Sequence, residues 1–134
     1  MNDPRETLAR IRKQADAATP GPWEHEPPPG PGEDPMRPIC VYPKEDGGTL
    51  AYVQPLEADA EFITAARTDV PALLDALEKV LELHQPVTDG MGFTEDGYGG
   101  ISPACSSCGT SDEYAVPYPC PTVTAITTAL EAAK

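Results

Sequence analysis

The chain has 134 residues, with 22 acidic side chains against 9 basic ones and a formal net charge of −13. That balance repels phosphate backbones and anionic bilayers, which excludes nucleic acid and a membrane surface as direct partners and leaves a protein partner as the expectation. Ile, Leu, Val and Phe together number only 23 of the 134 residues, so the length suits a single domain over 1–134 whose thin apolar core needs a further stabiliser, such as a metal.

Residues 4–18 place Leu8, Ile11, Ala15 and Ala18 at helical spacing, with Asp3 as N-cap and Pro4 in the first turn. Arg5, Arg10, Arg12 and Lys13 form the one basic cluster, read as a solvated face. The segment Thr19-Pro20-Gly21-Pro22 stops this helix. Residues 23–26, 39–42 and 49–53 read as three short strands of a small antiparallel sheet. The first two are joined by the Pro-rich loop 27–38, and the last two by a hairpin turn over 44–48.

From Glu57 the pattern becomes helical. Ala58, Phe62, Ile63 and Ala66 share one face, and Val70, Leu73, Leu74, Leu77, Leu81 and His84 follow the i, i+3, i+4, i+7 rule. Asp69 and Pro71 resemble the start of a new helix, so the spacing predicts two consecutive helices broken at Thr68-Asp69 and closed by Pro86. Residues 87–119 are rich in Gly, Pro, Ser, Thr and Asp, and predict a long loop that something must organise. The glycine-rich run over 90–100 carries Glu95 and Asp96, which repel phosphate, and reads as a flexible loop. Cys120 then stands at a cap position before a final helix with Val123, Ile126 and Leu130 on one stripe. The fold class expected is α+β, with the C-terminal helix tethered by a zinc-organised loop.

The cysteines carry the functional signal. Cys105 and Cys108 have the spacing that lets two thiolates converge on one ion from a tight turn, and Cys120 at a helix N-terminus is favoured as a thiolate by the unpaired backbone N–H groups. A structural zinc takes four protein ligands. The fourth is assigned to His84, at the C-terminal end of the leucine-rich helix, with Cys40, His25 or an acid as the competitors. The zinc-binding segment is therefore 84–120. A redox pair of Cys105 with Cys108 lacks the strand-then-helix context that such pairs use. No His-Glu-x-x-His, nucleobase-deaminase element, phosphate-cradling glycine loop or Gly-x-Ser-x-Gly is present, so the reading is of a protein that is not an enzyme. The N-terminal Met-Asn-Asp-Pro-Arg-Glu has no apolar signal core, and a cytoplasmic location is expected.

Three segments in the same order, TPGPW at 19–23, DAEFITAARTDVPALLDALEKVLELHQPV at 59–87, and CSSC at 105–108 followed by PYPCPTVTAI at 117–126, resemble a family of small, mostly uncharacterised proteins of actinobacterial phages and their hosts. His84, Cys105, Cys108 and Cys120 stand at the family's histidine, Cys-x-x-Cys and Pro-Cys-Pro-Thr positions, and Tyr118 stands where tryptophan is common. The resemblance implies a small accessory protein of phage or prophage type, working in the host cytoplasm, and brings no activity with it. Its expected function is that of a zinc-stabilised, non-enzymatic interaction protein. The alternatives are an acidic mimic of nucleic acid that inhibits a host nuclease or regulator, and a metalloenzyme with an open zinc site.

Overall fold

A computed structural model describes residues 3–45, 47–87, 103–110 and 114–133. The glycine-rich run over 90–100 and Asp46 of the 44–48 turn lie outside the described residues. The order of elements is α1 (Pro4–Ala17), β1 (Trp23–His25), β2 (Ile39–Pro43), β3 (Ala51–Val53), α2 (Glu57–Leu83), β4 (Pro86–Val87), β5 (Ala104–Thr110), β6 (Tyr114–Pro117) and α3 (Pro121–Ala132). The fold is α+β as expected, but with two antiparallel sheets where the sequence indicated one. Its residues group into two compact units, Ile11–Leu74 and the pairing of Met1–Arg10 with Asp75–Lys134.

In the unit Ile11–Leu74, β2 is central, pairing Trp23 with Pro43 on β1 and Ile39 with Val53 on β3. Alternation along β2 buries Ile39, Val41 and Pro43 and leaves Cys40 and Tyr42 half-buried, as the period-two geometry of a strand requires. Ile39 and Val41 are fully inaccessible, and Val53, Ala60 and Leu74 complete the buried set. The Pro-rich segment between β1 and β2 is tied by Arg37, whose guanidinium reaches Glu26 at 3.1 Å and Glu33 at 3.2 Å.

The break expected at Thr68-Asp69 does not occur: α2 runs unbroken for 27 residues with Pro71 inside it. Proline there removes only the N–H that would reach the Arg67 carbonyl, and Ala60, Ile63, Val70 and Leu74 keep one inward helical phase on both sides, so packing outweighs the lost bond. Phe62 and Leu73, expected on that face, are instead exposed. Asp69 is consequently an exposed mid-helix residue rather than a cap.

The second unit contains the start of α1, the end of α2, the sheet β4-β5-β6 and α3. Leu8, Leu81, Val123 and Thr127 are buried in it together with Cys105 and Cys120. Asp3 caps α1 as expected, its Oδ1 accepting from the Arg5 N–H at 2.9 Å. In the segment anticipated as a long, metal-organised loop, the described residues supply a sheet: β4 pairs Pro86 with Cys105, and β5 pairs Ala104 with Pro117 and Gly109 with Ala115. Between those last two pairs β5 advances five residues while β6 advances two, so Cys105-Ser106-Ser107-Cys108 is forced out of the ladder with β6. The expectation that this segment belongs to neither helix nor strand is thereby corrected. On α3, Val123 and Thr127 are the buried positions, with Ile126 and Leu130 half-buried beside them.

Candidate metal centre

The bulge in β5 turns both of its cysteines toward the end of α2. His84 follows the last residue of that helix, and its own N–H still bonds to the Leu81 carbonyl at 3.2 Å. Its ring Nδ1 lies 3.3 Å from Cys105 Sγ, 3.4 Å from Cys108 Sγ and 3.5 Å from Cys120 Sγ. All four donor atoms fall within 4.8 Å of one another. A ring nitrogen has one lone pair or one hydrogen in its plane and cannot form three hydrogen bonds at once. A tetrahedral ion with bonds of about 2.3 Å to sulfur and about 2.0–2.1 Å to nitrogen places each sulfur about 3.5–3.6 Å from the nitrogen, which is the observed arrangement to within a few tenths of an ångström. The donor set therefore fits a tetrahedral metal, with Nδ1 as the His84 atom that faces the three sulfurs.

Cys105 and Cys120 are buried, while Cys108 and His84 are half-buried. Cys120 is the N-cap of α3, with extended backbone (φ −73°, ψ 167°) and Pro121 at the first helical position. Burial opposes its ionisation, yet the Val123 N–H, the Cys105 and Cys108 thiols and the Thr122 N–H outweigh it, holding the thiol down at about 7. Its sulfur makes no cap bond of ordinary geometry, so these N–H groups act as oriented dipoles. Cys108 is pushed up to about 11 by desolvation first and then by its hydrogen bonds to Cys120 and Cys105. The surroundings thus favour the thiolate at Cys120 and disfavour it at Cys108, where a bound cation would offset the cost.

No family model, curated protein or solved structure matches the chain. The site stands on its geometry alone.

The surrounding residues explain how one histidine is held at this point. The last carbonyls of α2 have no intrahelical partners, and two distant segments supply them. Ser106 Oγ and Ser107 Oγ both donate to the Leu83 carbonyl. Ser106 N–H donates to the Gln85 carbonyl at 2.8 Å, and Gln85 N–H donates back to Ser106 Oγ at 2.9 Å. The two serines between the cysteines thus sew the bulge onto the helix end. Arg5 does the same from α1: its Nη2 donates to the Leu81 carbonyl at 2.9 Å and the His84 carbonyl at 3.2 Å, and its Nη1 donates to Tyr118 Oη at 2.7 Å. Tyr118 is itself fixed by its N–H to the Pro103 carbonyl at 2.8 Å, two positions before Cys120.

All four expected ligands, His84, Cys105, Cys108 and Cys120, are brought together. None of the competitors, Cys40, His25 or an acid among the described residues, joins them. Cys40 sits in β2 with its thiol 3.3 Å from Thr49 Oγ1, and His25 Nδ1 lies 2.8 Å from the Glu26 carbonyl. Among the described residues no other group of three or more His, Cys, Asp or Glu side chains converges. Arg5, read from sequence as part of a solvated basic face, is instead half-buried and bonded on two sides of the centre. The Ser-Ser pair was the available signal for the seam. Nothing local marked Arg5 or Tyr118, whose pairing spans 113 positions of chain.

Proposed function

We propose that the chain is a non-enzymatic, zinc-stabilised accessory protein of the phage or prophage type that its motifs resemble, acting in the cytoplasm through contacts with a protein partner. The observation that carries the reading is the convergence of one imidazole nitrogen and three thiols at tetrahedral spacing. Soft thiolates with one imidazole suit Zn²⁺ above the harder divalent ions. Four protein ligands leave no position for water or substrate, which favours a structural role. His84 would bind neutral, with its proton on Nε2, while the three cysteines bind as thiolates. The bound ion supplies cross-linking and charge neutralisation. The chain's own residues do the rest: Ser106 and Ser107 orient the bulge, Arg5 holds the His84 carbonyl, and Cys120 ties the start of α3 to the same point. A cytosolic environment, which keeps thiols reduced, suits such a site.

Elemental analysis of chelator-free protein tests the reading. One zinc per chain is expected, with loss of bound zinc and of helical signal in Cys120→Ser. Cobalt substitution should give the intense visible absorption of a tetrahedral sulfur-rich site. Protein that purifies without metal and refuses both zinc and cobalt would overturn the reading.

A further inference from the structure

The TPGPW segment at 19–23 takes no part in the metal centre, and its role lies in the unit Ile11–Leu74. There it wraps one side chain of α2. Arg67 Nε donates to the Thr19 carbonyl at 2.9 Å, and Trp23 Nε1 donates to the same oxygen at 3.1 Å. The guanidinium carbon lies over the Trp23 ring, 6.0 Å from its centroid. A Cβ at Gly21 would sit 2.8 Å from Arg67 Cγ, so glycine at this position is what lets the backbone close on the arginine stem. The Thr19 carbonyl, Gly21 and the Trp23 ring here combine to hold one cationic group in a set orientation.

Arg67 stands at the edge of a cavity of about 300 Å³ whose walls include Ile11, Ala15, Ile63, Val70 and Pro71. Among the described residues its terminal Nη nitrogens have no hydrogen-bond or ion-pair partner, although the chain carries 22 acids. A pre-oriented guanidinium beside an apolar cavity is the arrangement that recognises an anion with an apolar body: the planar fork takes the carboxylate, and the cavity takes the hydrocarbon.

We propose that this cavity binds a small amphiphilic carboxylate, with its hydrocarbon part against Ile11, Ile63 and Val70 and its carboxylate on the terminal nitrogens of Arg67. The site is independent of the metal reading, since none of its residues is a metal ligand.

Octanoate and octanol provide matched probes, titrated into the full-length protein while the indole N–H resonance of Trp23, the single tryptophan, is followed by NMR. Octanoate is expected to move that resonance saturably and to bind about tenfold tighter than octanol, the difference that one charged hydrogen bond at a partly exposed site supplies. Arg67→Met keeps the apolar stem, removes the charge, and should bring the two affinities together. A Trp23 resonance that does not respond saturably overturns the cavity. Equal affinities for octanoate and octanol in the unsubstituted protein overturn the carboxylate contact, whether or not the variant folds.

Discussion

Arg5 shows how much a single side chain can connect. It bonds two carbonyls at the end of α2 and the hydroxyl of Tyr118, so it holds both the His84 backbone and the approach to Cys120. Groups that orient metal ligands through such contacts typically change affinity by about 10- to 100-fold when removed. Arg5→Met is therefore expected to weaken zinc binding by about tenfold or more in a chelator competition, and to shift the visible bands of the cobalt form. Tyr118→Phe, which removes one of the three bonds, should fall between it and the unsubstituted protein. A second residue-scale expectation concerns Glu33, whose carboxylate accepts from the Gly30 N–H at 2.9 Å and from Arg37 at 3.2 Å. The Gly30 bond first, then Arg37, holds its pKa below the ordinary value. A depressed carboxylate pKa means the contribution is present above the unfolded value and is lost as pH falls through the folded one. The amide resonance of Gly30 should follow that acid titration, and Glu33→Gln should abolish it.

At the scale of elements, α2 contradicts the local signals within it. Asp69 followed by Pro71 looks like a helix start, yet the helix continues because its apolar phase is kept across the proline. Proline in a helix interior costs about 3 kcal/mol relative to alanine where nothing compensates. Pro71→Ala is thus expected to raise the melting temperature measured by calorimetry, by several degrees if even about 1 kcal/mol is recovered. In the first sheet, Ile39 has no exposure at all, and Ile39→Ala should cost about 2–4 kcal/mol in chemical denaturation. The helix phase and the strand alternation were both legible in the sequence, because each is a periodicity of side chains on a regular backbone. The second sheet was not. β4 has two residues, β5 contains a bulge three residues deep relative to its partner strand, and neither carries an alternating pattern that could announce a strand.

For the whole molecule, the division into two compact units assigns the metal centre to one of them and the buried strand β2 to the other. Hydrogen exchange should reflect that division: chelation is expected to raise exchange in α3, whose first turn hangs on Cys120, while the β2 amides paired to β1 and β3 stay protected. The net charge of −13 acts at this scale as well. Self-repulsion weakens a compact state, so moderate salt is expected to raise the melting temperature of the metal-bound protein.

The sequence by itself determined the α+β class, the three helical regions, the first sheet and the four side chains that converge, because each rests on spacing along the chain: periods of two and 3.6, a two-residue gap between cysteines, a cysteine at a helix start. Only the tertiary structure decided that His84 turns its Nδ1 to the three sulfurs, that Cys105 and Cys108 lie on a bulged strand, that α2 passes through its proline, and that Arg5 bonds the end of α2 rather than the solvent. The physical reason is the same in each case. These outcomes depend on which unsatisfied carbonyl, strand edge or sulfur meets a group far away in the chain, and no local pattern encodes that meeting.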